Sequence, residues 1–142
     1  MAASTACLFC AIAAGEQPAA MVLDTADVVA FLDHRPLFEG HTLVVPRRHV
    51  VTLRELDGPL RDELFARVQT VAAAVQDALG ADGTFVAENN VVSQSVPHLH
   101  VHVVPRRFKD GLRGFFWPRT KYESDEAAAA VAARIVARLE TM

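Results

Sequence analysis

The sequence predicts an α+β fold, a mainly antiparallel sheet of about five strands with one long helix, and three observations carry that reading. Short β-branched runs follow one another in series through the first half of the chain. A single helical period of more than twenty residues interrupts them. A last apolar run, His98 to Val104, then alternates strictly between imidazole and aliphatic side chains. Strands in series broken by one helix favour an antiparallel sheet covered by helices over an alternating parallel arrangement.

In chain order, Cys7 to Ala14 reads as a short helical hook that stops at Gly15, with Pro18 preventing its continuation. Met21 to Asp24 and Val28 to Asp33 read as two strands joined at Thr25-Ala26-Asp27. Pro36 breaks that pattern, and Thr42 to Val45 forms a third strand closed by Pro46. Leu60, Leu64, Val68, Val71, Val75 and Leu79 recur at intervals of three and four, which places a helix between an Asp57 N-cap and a Gly80 stop. Thr84 to Glu88 and His98 to Val104 read as two further strands. A final helix spans Asp125 to Glu140, capped by Ser124 with two acids in its first turn, where the helix dipole favours them. Pro105 to Tyr122 is a basic, aromatic loop of a length that suggests a surface role. A single domain, 1–142, with a core at 7–106 and a C-terminal loop and helix at 107–142, accommodates all of this.

Composition narrows the function classes. Half of the residues (51%) are hydrophobic and the formal net charge is −3, so bulk charge provides no footprint for nucleic acid. No apolar run approaches the roughly 20 residues of a spanning helix, and the start lacks a basic secretory n-region, so a cytoplasmic protein with no membrane partner is expected. The two cysteines, Cys7 and Cys10, are then free for metal or redox chemistry.

The chemistry centres on His98-Leu99-His100-Val101-His102-Val103-Val104. Side chains two apart on a strand share a face, so three imidazoles line one side while aliphatic residues anchor the other. A rigid strand carrying three proton-carrying, nucleophilic groups toward one face is a mount for catalysis.

This His-φ-His-φ-His-φ-φ run, with φ apolar, resembles the signature of the histidine triad (HIT) superfamily, in its Hint-like branch. The likeness extends to Asp33 after Phe31-Leu32, to Gly40-His41-Thr42-Leu43-Val44-Val45-Pro46-Arg47-Arg48-His49, to Asn89 and to Gln94-Ser95-Val96. It implies a HIT-like fold and a double displacement at phosphorus, in which His100 attacks the α-phosphate of a purine nucleoside phosphoramidate or dinucleoside polyphosphate and carries the nucleotide covalently. His98, His102 and Ser95 complete the implied catalytic set: His102 donates to phosphate oxygens and Ser95 holds the leaving-group side. The resemblance gives Asp33 to the ribose hydroxyls, Asn89 to the ribose or phosphate and Gln94 to the phosphate cradle. Leu8, Phe9, Ile12, Val22 and Phe31 are candidates for an apolar base slot. Ser93 departs from the pattern, since relatives often carry Gly before the Gln, where backbone approaches phosphate closely.

Some members of the family combine such cysteines with two histidines. That likeness implies a closed structural Zn2+ site of Cys7, Cys10, His49 and His98, and a homodimer. His41 reads as structural and His34 as a solvated loop residue. Two other readings stay open on sequence: a metal-dependent hydrolase that uses part of the histidine cluster, and a nucleotide-binding regulatory protein that docks partners through residues 106–122.

Overall fold

The structure, a computed structural model, describes residues 6–113 and 119–142. The elements are α1 (Leu8–Ala13), β1 (Met21–Asp24), β2 (Val28–Leu32), β3 (Thr42–Pro46), α2 (Gly58–Leu79), β4 (Gly83–Ala87), β5 (Val101–Arg106) and α3 (Asp125–Leu139). The strands form one antiparallel sheet in the order β1-β2-β3-β5-β4. Together with the helices this is the α+β arrangement that the patterning predicts.

The central strands β2, β3 and β5 are buried on both faces, and strand alternation decides which residue faces which way. Val28, Ala30, Val44, Leu99, Val101 and Val103 meet Leu64, Val68, Val71 and Val75 of α2 in one core cluster. The intervening residues Val29, Phe31, Leu43 and Val45 pack against Cys7, Phe9 and Ile12 of the N-terminal hook on the other face. His98, His100 and His102 fall on the hook side because Leu99, Val101 and Val103 fall on the α2 side.

Helix α2 has the ends its sequence prescribes. The Asp57 carboxylate accepts the Leu60 N–H at 2.9 Å, and Pro59 occupies the first turn, where an N–H would have no helical partner. Gly80 ends the helix in the left-handed region (φ 61), its N–H turning back to Asp77 and that of Ala81 to Gln76. Gly40 (φ 100) is needed for a different reason: a Cβ there would collide with Leu79 Cδ1.

One expected boundary moves. The triad strand begins at Val101 and runs to Arg106, rather than spanning His98 to Val104. In the β3–β5 register, Pro46 lies where Leu99 would pair, and a proline has no N–H for the ladder. The Leu99 N–H turns instead to Val50 O at 2.7 Å. At the other end β4 continues past β3 and holds Thr84 against Pro105, so Pro105 extends the strand instead of breaking it.

The chain falls into two compact units, 1–110 and 111–142. In the first, Arg106 and Asp110 form a two-armed ion pair at 2.6 and 3.0 Å. In the second, α3 is capped by Ser124, whose hydroxyl accepts the Ala127 N–H at 3.0 Å, and carries no buried residue. Phe115, Phe116 and Trp117 of the basic aromatic loop lie outside the described residues.

Candidate active site and metal centre

The hook-side face of the sheet opens into a cavity of about 580 Å³, within the range of small-ligand sites. Leu8, Phe9 and Ile12 of α1 and Phe31 and Leu32 of β2 form apolar walls, while Asp33, Ser95, His100 and His102 supply the polar end. Phe9 stands edge-on to Phe31 (5.3 Å between centroids) and to His100 (5.0 Å), so the hook fixes both the slot and the central imidazole.

The His100 ring is buried but its orientation is set: Nδ1–H donates to His98 O at 2.7 Å. A neutral imidazole has one N–H, so Nε2 keeps a free lone pair. His102, 5.0 Å away between centroids, carries the opposite tautomer, and the cause lies in a residue that the sequence reading assigned to structure. The Leu37 backbone N–H donates to His41 Nδ1 at 3.0 Å, which leaves the His41 proton on Nε2. That N–H donates to His102 Nδ1 at 2.9 Å, so His102 presents Nε2–H. His41 thus joins the site as a positioning residue, buried in its side chain, with its Nε2 3.7 Å from an Asp33 carboxylate oxygen.

Burial is the first cause of the low basicity of this pair. His102 is pushed down to about 4 by burial and by the charge of protonated His100 and His41, against which Asp33 pulls upward. His41 is lowered by burial, with Asp33 opposing and His100 adding. Both are neutral near pH 7, as the tautomer chain requires. Asp33, His41 and His102 also gather their donor atoms within 4.8 Å, but the Leu37 N–H occupies the lone pair of His41 Nδ1, the nitrogen that would have to carry the proton for a metal to use Nε2. His41 and His102 are joined by a hydrogen bond, with the Asp33 carboxylate beside them at 3.7 Å.

A second cluster lies under the hook. One Sγ or Nδ1 from each of Cys7, Cys10, His49 and His98 lies within 4.8 Å of the others. Cys7 Sγ and Cys10 Sγ are 3.4 and 3.5 Å from His98 Nδ1, Cys10 Sγ is 3.3 Å from His49 Nδ1, and the two Nδ1 atoms are 3.2 Å apart. A tetrahedral ion with sulfur at about 2.3 Å and nitrogen at about 2.0 Å sets donor–donor edges of roughly 3.3–3.8 Å, so the donor set fits zinc. His98 Nε2–H donates to Pro46 O at 2.8 Å, which turns the Nδ1 lone pair inward, the supporting contact that metal-binding imidazoles require. The Cys10 thiol is pushed up to about 11 by burial, with the Cys7 hydrogen bond and charge adding; a dication among the donors reverses that balance. His98 is lowered to about 4, chiefly by burial. The three triad imidazoles therefore do not share one ion: His98 faces the cysteines, His100 Nδ1 faces a carbonyl, and His102 Nδ1 faces His41.

Other predicted residues divide. Asp33 and Ser95 line the cavity, and the Asp33 carboxylate also accepts the Arg35 N–H at 2.9 Å. Gln94 and Asn89 do not line it. The Gln94 amide donates to Val51 O at 2.7 Å and accepts the Val91 N–H, while Asn89 Nδ2 donates to Ser93 O at 3.3 Å, so both hold the loop before the triad. Val22 is exposed on β1, outside the lining. Ser93 has φ 63, the left-handed conformation that glycine adopts without strain, and Val91 shares it at φ 69. His34 is solvated, as expected, at the rim.

The sequence profile of the HIT domain matches residues 14–109, ending just before the boundary between the two compact units. An adenosine 5′-monophosphoramidase of Schizosaccharomyces pombe is 33% identical over 125 residues, covering 87% of this chain and 91% of that protein. The crystal structure of a HIT family protein from Bacillus subtilis superposes with a TM-score of 0.84 at 33% identity, over 93% of this chain and 96% of that one. A Zn-bound histidine triad family protein from Mycobacterium smegmatis superposes with a TM-score of 0.73 at 35% identity, over 97% and 98% of the two chains. With the triad, its supporting carbonyl and the open cavity in place, the chain belongs to the HIT domain family.

Proposed function

We propose that the protein is a nucleotide hydrolase or transferase that acts at the α-phosphate of purine nucleoside phosphoramidates or dinucleoside polyphosphates through a nucleotidyl-His100 intermediate. The observation that carries this reading is the His100 ring itself: its Nδ1–H is held by a carbonyl, its Nε2 is bare, and it borders a cavity of nucleotide size. The name of the fission yeast relative supports the substrate class.

In the first step the Nε2 lone pair forms a bond to phosphorus while the bond to the leaving amine or phosphate breaks with its electron pair. His102 Nε2–H donates to a non-bridging oxygen and stabilises the charge that develops there. Asp33 accepts from the ribose hydroxyls, Ser95 orients the leaving group, and the hook walls hold the base. Water then displaces His100 and forms the monophosphate, or another acceptor takes the nucleotidyl group; in either case the phosphorus–nitrogen bond breaks with its electron pair returning to Nε2 and the acceptor's proton is lost to solvent. Cys7, Cys10, His49 and His98 would hold Zn2+ in a structural role, since four protein donors would leave it no open position, and the site would tie the hook to the segment carrying His100. The protein works as a homodimer in this reading, in line with the family resemblance.

The test is trapping of radiolabelled nucleotide on the protein after quenching without acid. Wild-type protein retains label from a nucleoside phosphoramidate, and His100→Ala retains none while still binding AMP. Equal labelling of the variant overturns the assignment, and binding without any turnover identifies a regulatory binding protein instead.

A further inference from the structure

Cys7 and Cys10 are the chain's two cysteines, and both are free thiols at the start of the hook. The Cys10 N–H donates to Cys7 Sγ at 3.4 Å, and the two sulfurs lie within 4.8 Å of each other. A disulfide holds its sulfurs about 2 Å apart, so side-chain rotation with a small shift of one turn joins them. Cys7 is buried and Cys10 half-buried, which makes Cys10 the sulfur that a small oxidant reaches first. The same sulfurs face His98 Nδ1 at 3.4 and 3.5 Å, and Cys10 also faces His49 Nδ1 at 3.3 Å. Leu8 and Phe9, the two residues between the cysteines, line the cavity, and Phe9 stands edge-on to His100. The state of the sulfurs and the wall of the cavity thus meet in four consecutive residues.

We propose that Cys7 and Cys10 form a peroxide-responsive disulfide that releases the zinc and loosens the hook wall of the nucleotide cavity. This inference rests on the metal and nucleotide readings above and adds a control to them. Cysteine ligands of a metal are thiolates. Cys10 Sγ attacks one oxygen of hydrogen peroxide: an S–O bond forms, the O–O bond breaks and hydroxide leaves. Cys7 Sγ then attacks the Cys10 sulfur: the S–S bond forms, the S–O bond breaks and a second hydroxide leaves. The sulfurs lose two electrons, the peroxide gains them, and two protons from solvent complete two waters. Only His49 and His98 remain as donors, where structural zinc takes four. The hook then keeps its apolar contacts and the bond from Arg47 to Ala13 O, but not its tie to His98. Leu8 and Phe9 lose that restraint, and nucleotide affinity falls until a thiol reductant and zinc restore it.

The experiment treats zinc-loaded protein with hydrogen peroxide. Zinc is followed with a chromogenic chelator, thiols by alkylation and mass spectrometry, and AMP affinity by calorimetry. The expected result is zinc release together with an intrachain Cys7–Cys10 disulfide, and AMP binding weaker by at least about 5-fold, the low end of coupling between two sites. Dithiothreitol with added zinc reverses all three. Cys10→His keeps a fourth donor and lacks the second thiol, so peroxide leaves its own AMP affinity unchanged; Cys7→His is the second such variant if the first fails to fold. Thiols that survive the oxidant or pass to sulfinic acid, a disulfide that leaves AMP affinity unchanged, or an equal loss of affinity in Cys10→His each overturn the switch and leave both earlier readings standing. Wild-type protein that retains no zinc after loading overturns the metal reading along with it. AMP binding by neither the reduced nor the oxidised protein overturns the nucleotide reading and the switch together.

Discussion

His41 shows how one hydrogen bond far from the reacting atom sets a proton at it. The Leu37 amide fixes the His41 tautomer, and His41 fixes that of His102. A His41→Leu substitution leaves His102 Nδ1 unpaired and its proton free to sit on either nitrogen. Removal of one donor to developing charge costs about 100- to 1,000-fold, and mispositioning one costs less, so about a 10- to 100-fold fall in the rate of nucleotidyl-enzyme formation is expected. AMP affinity changes little. Single-turnover quench measurements beside equilibrium AMP binding check this split; an unchanged rate removes His41 from the machinery. The alternation that placed His100 and His102 was readable in the sequence, because it depends only on neighbours two positions away. The partnership of His41 with His102 was not, because 61 positions separate them and only the β3–β5 register brings them together. The left-handed Ser93 was foreshadowed by its family position, where relatives often carry glycine; the equally left-handed Val91 was not.

The elements explain why the site keeps its shape. Helix α2 covers the face of the sheet opposite the imidazoles, and Leu64 and Leu99 are fully buried in that core. Leu64→Ala removes buried methyl groups and leaves a cavity, with an expected loss of about 2–5 kcal/mol, read as a lowered denaturant midpoint. AMP affinity measured under native conditions remains, because the hook-side cluster is separate; loss of AMP binding by folded Leu64→Ala contradicts this separation. Arg47 of the β3–α2 connection secures that other side, donating to the Ala13 carbonyl at the end of α1, to Asp24 and to Thr25 O in the β1–β2 hairpin. The long period of α2 and its caps were legible, since both are local signals. The start of β5 was not: alternation continues through His98 to His100, but strand pairing needs a partner with a free N–H, and Pro46 withholds it.

Across the molecule, the histidines couple stability to pH. His102 has a folded pKa of about 4 against an ordinary value near 6.5, and His41 is shifted the same way. Between those values the unfolded chain binds more protons than the folded one, so stability falls as pH drops from about 6.5 toward 4. For His102 alone the shift corresponds to a loss on the order of 3 kcal/mol. Urea titrations across that window check it, with His102→Gln expected to flatten the slope; a flat wild-type profile contradicts the shifts. Metal removal acts on the hook. Zinc present at 100 to 1,000 times its Kd stabilises by about 3–4 kcal/mol, so a strong chelator is expected to lower Tm by roughly 10 °C in wild type and by nothing in Cys10→Ser. A chelator-insensitive wild-type Tm argues against a bound ion. Among the described residues no helix is long and apolar enough to cross a membrane. From the order of residues alone came the element types and the facing of the triad, since each is set by spacing along a few residues of backbone. Folding decided which nitrogen of each imidazole is bare and gathered Cys7, Cys10, His49 and His98 into one donor set. Those outcomes depend on hydrogen bonds and packing between segments that meet only when the sheet closes.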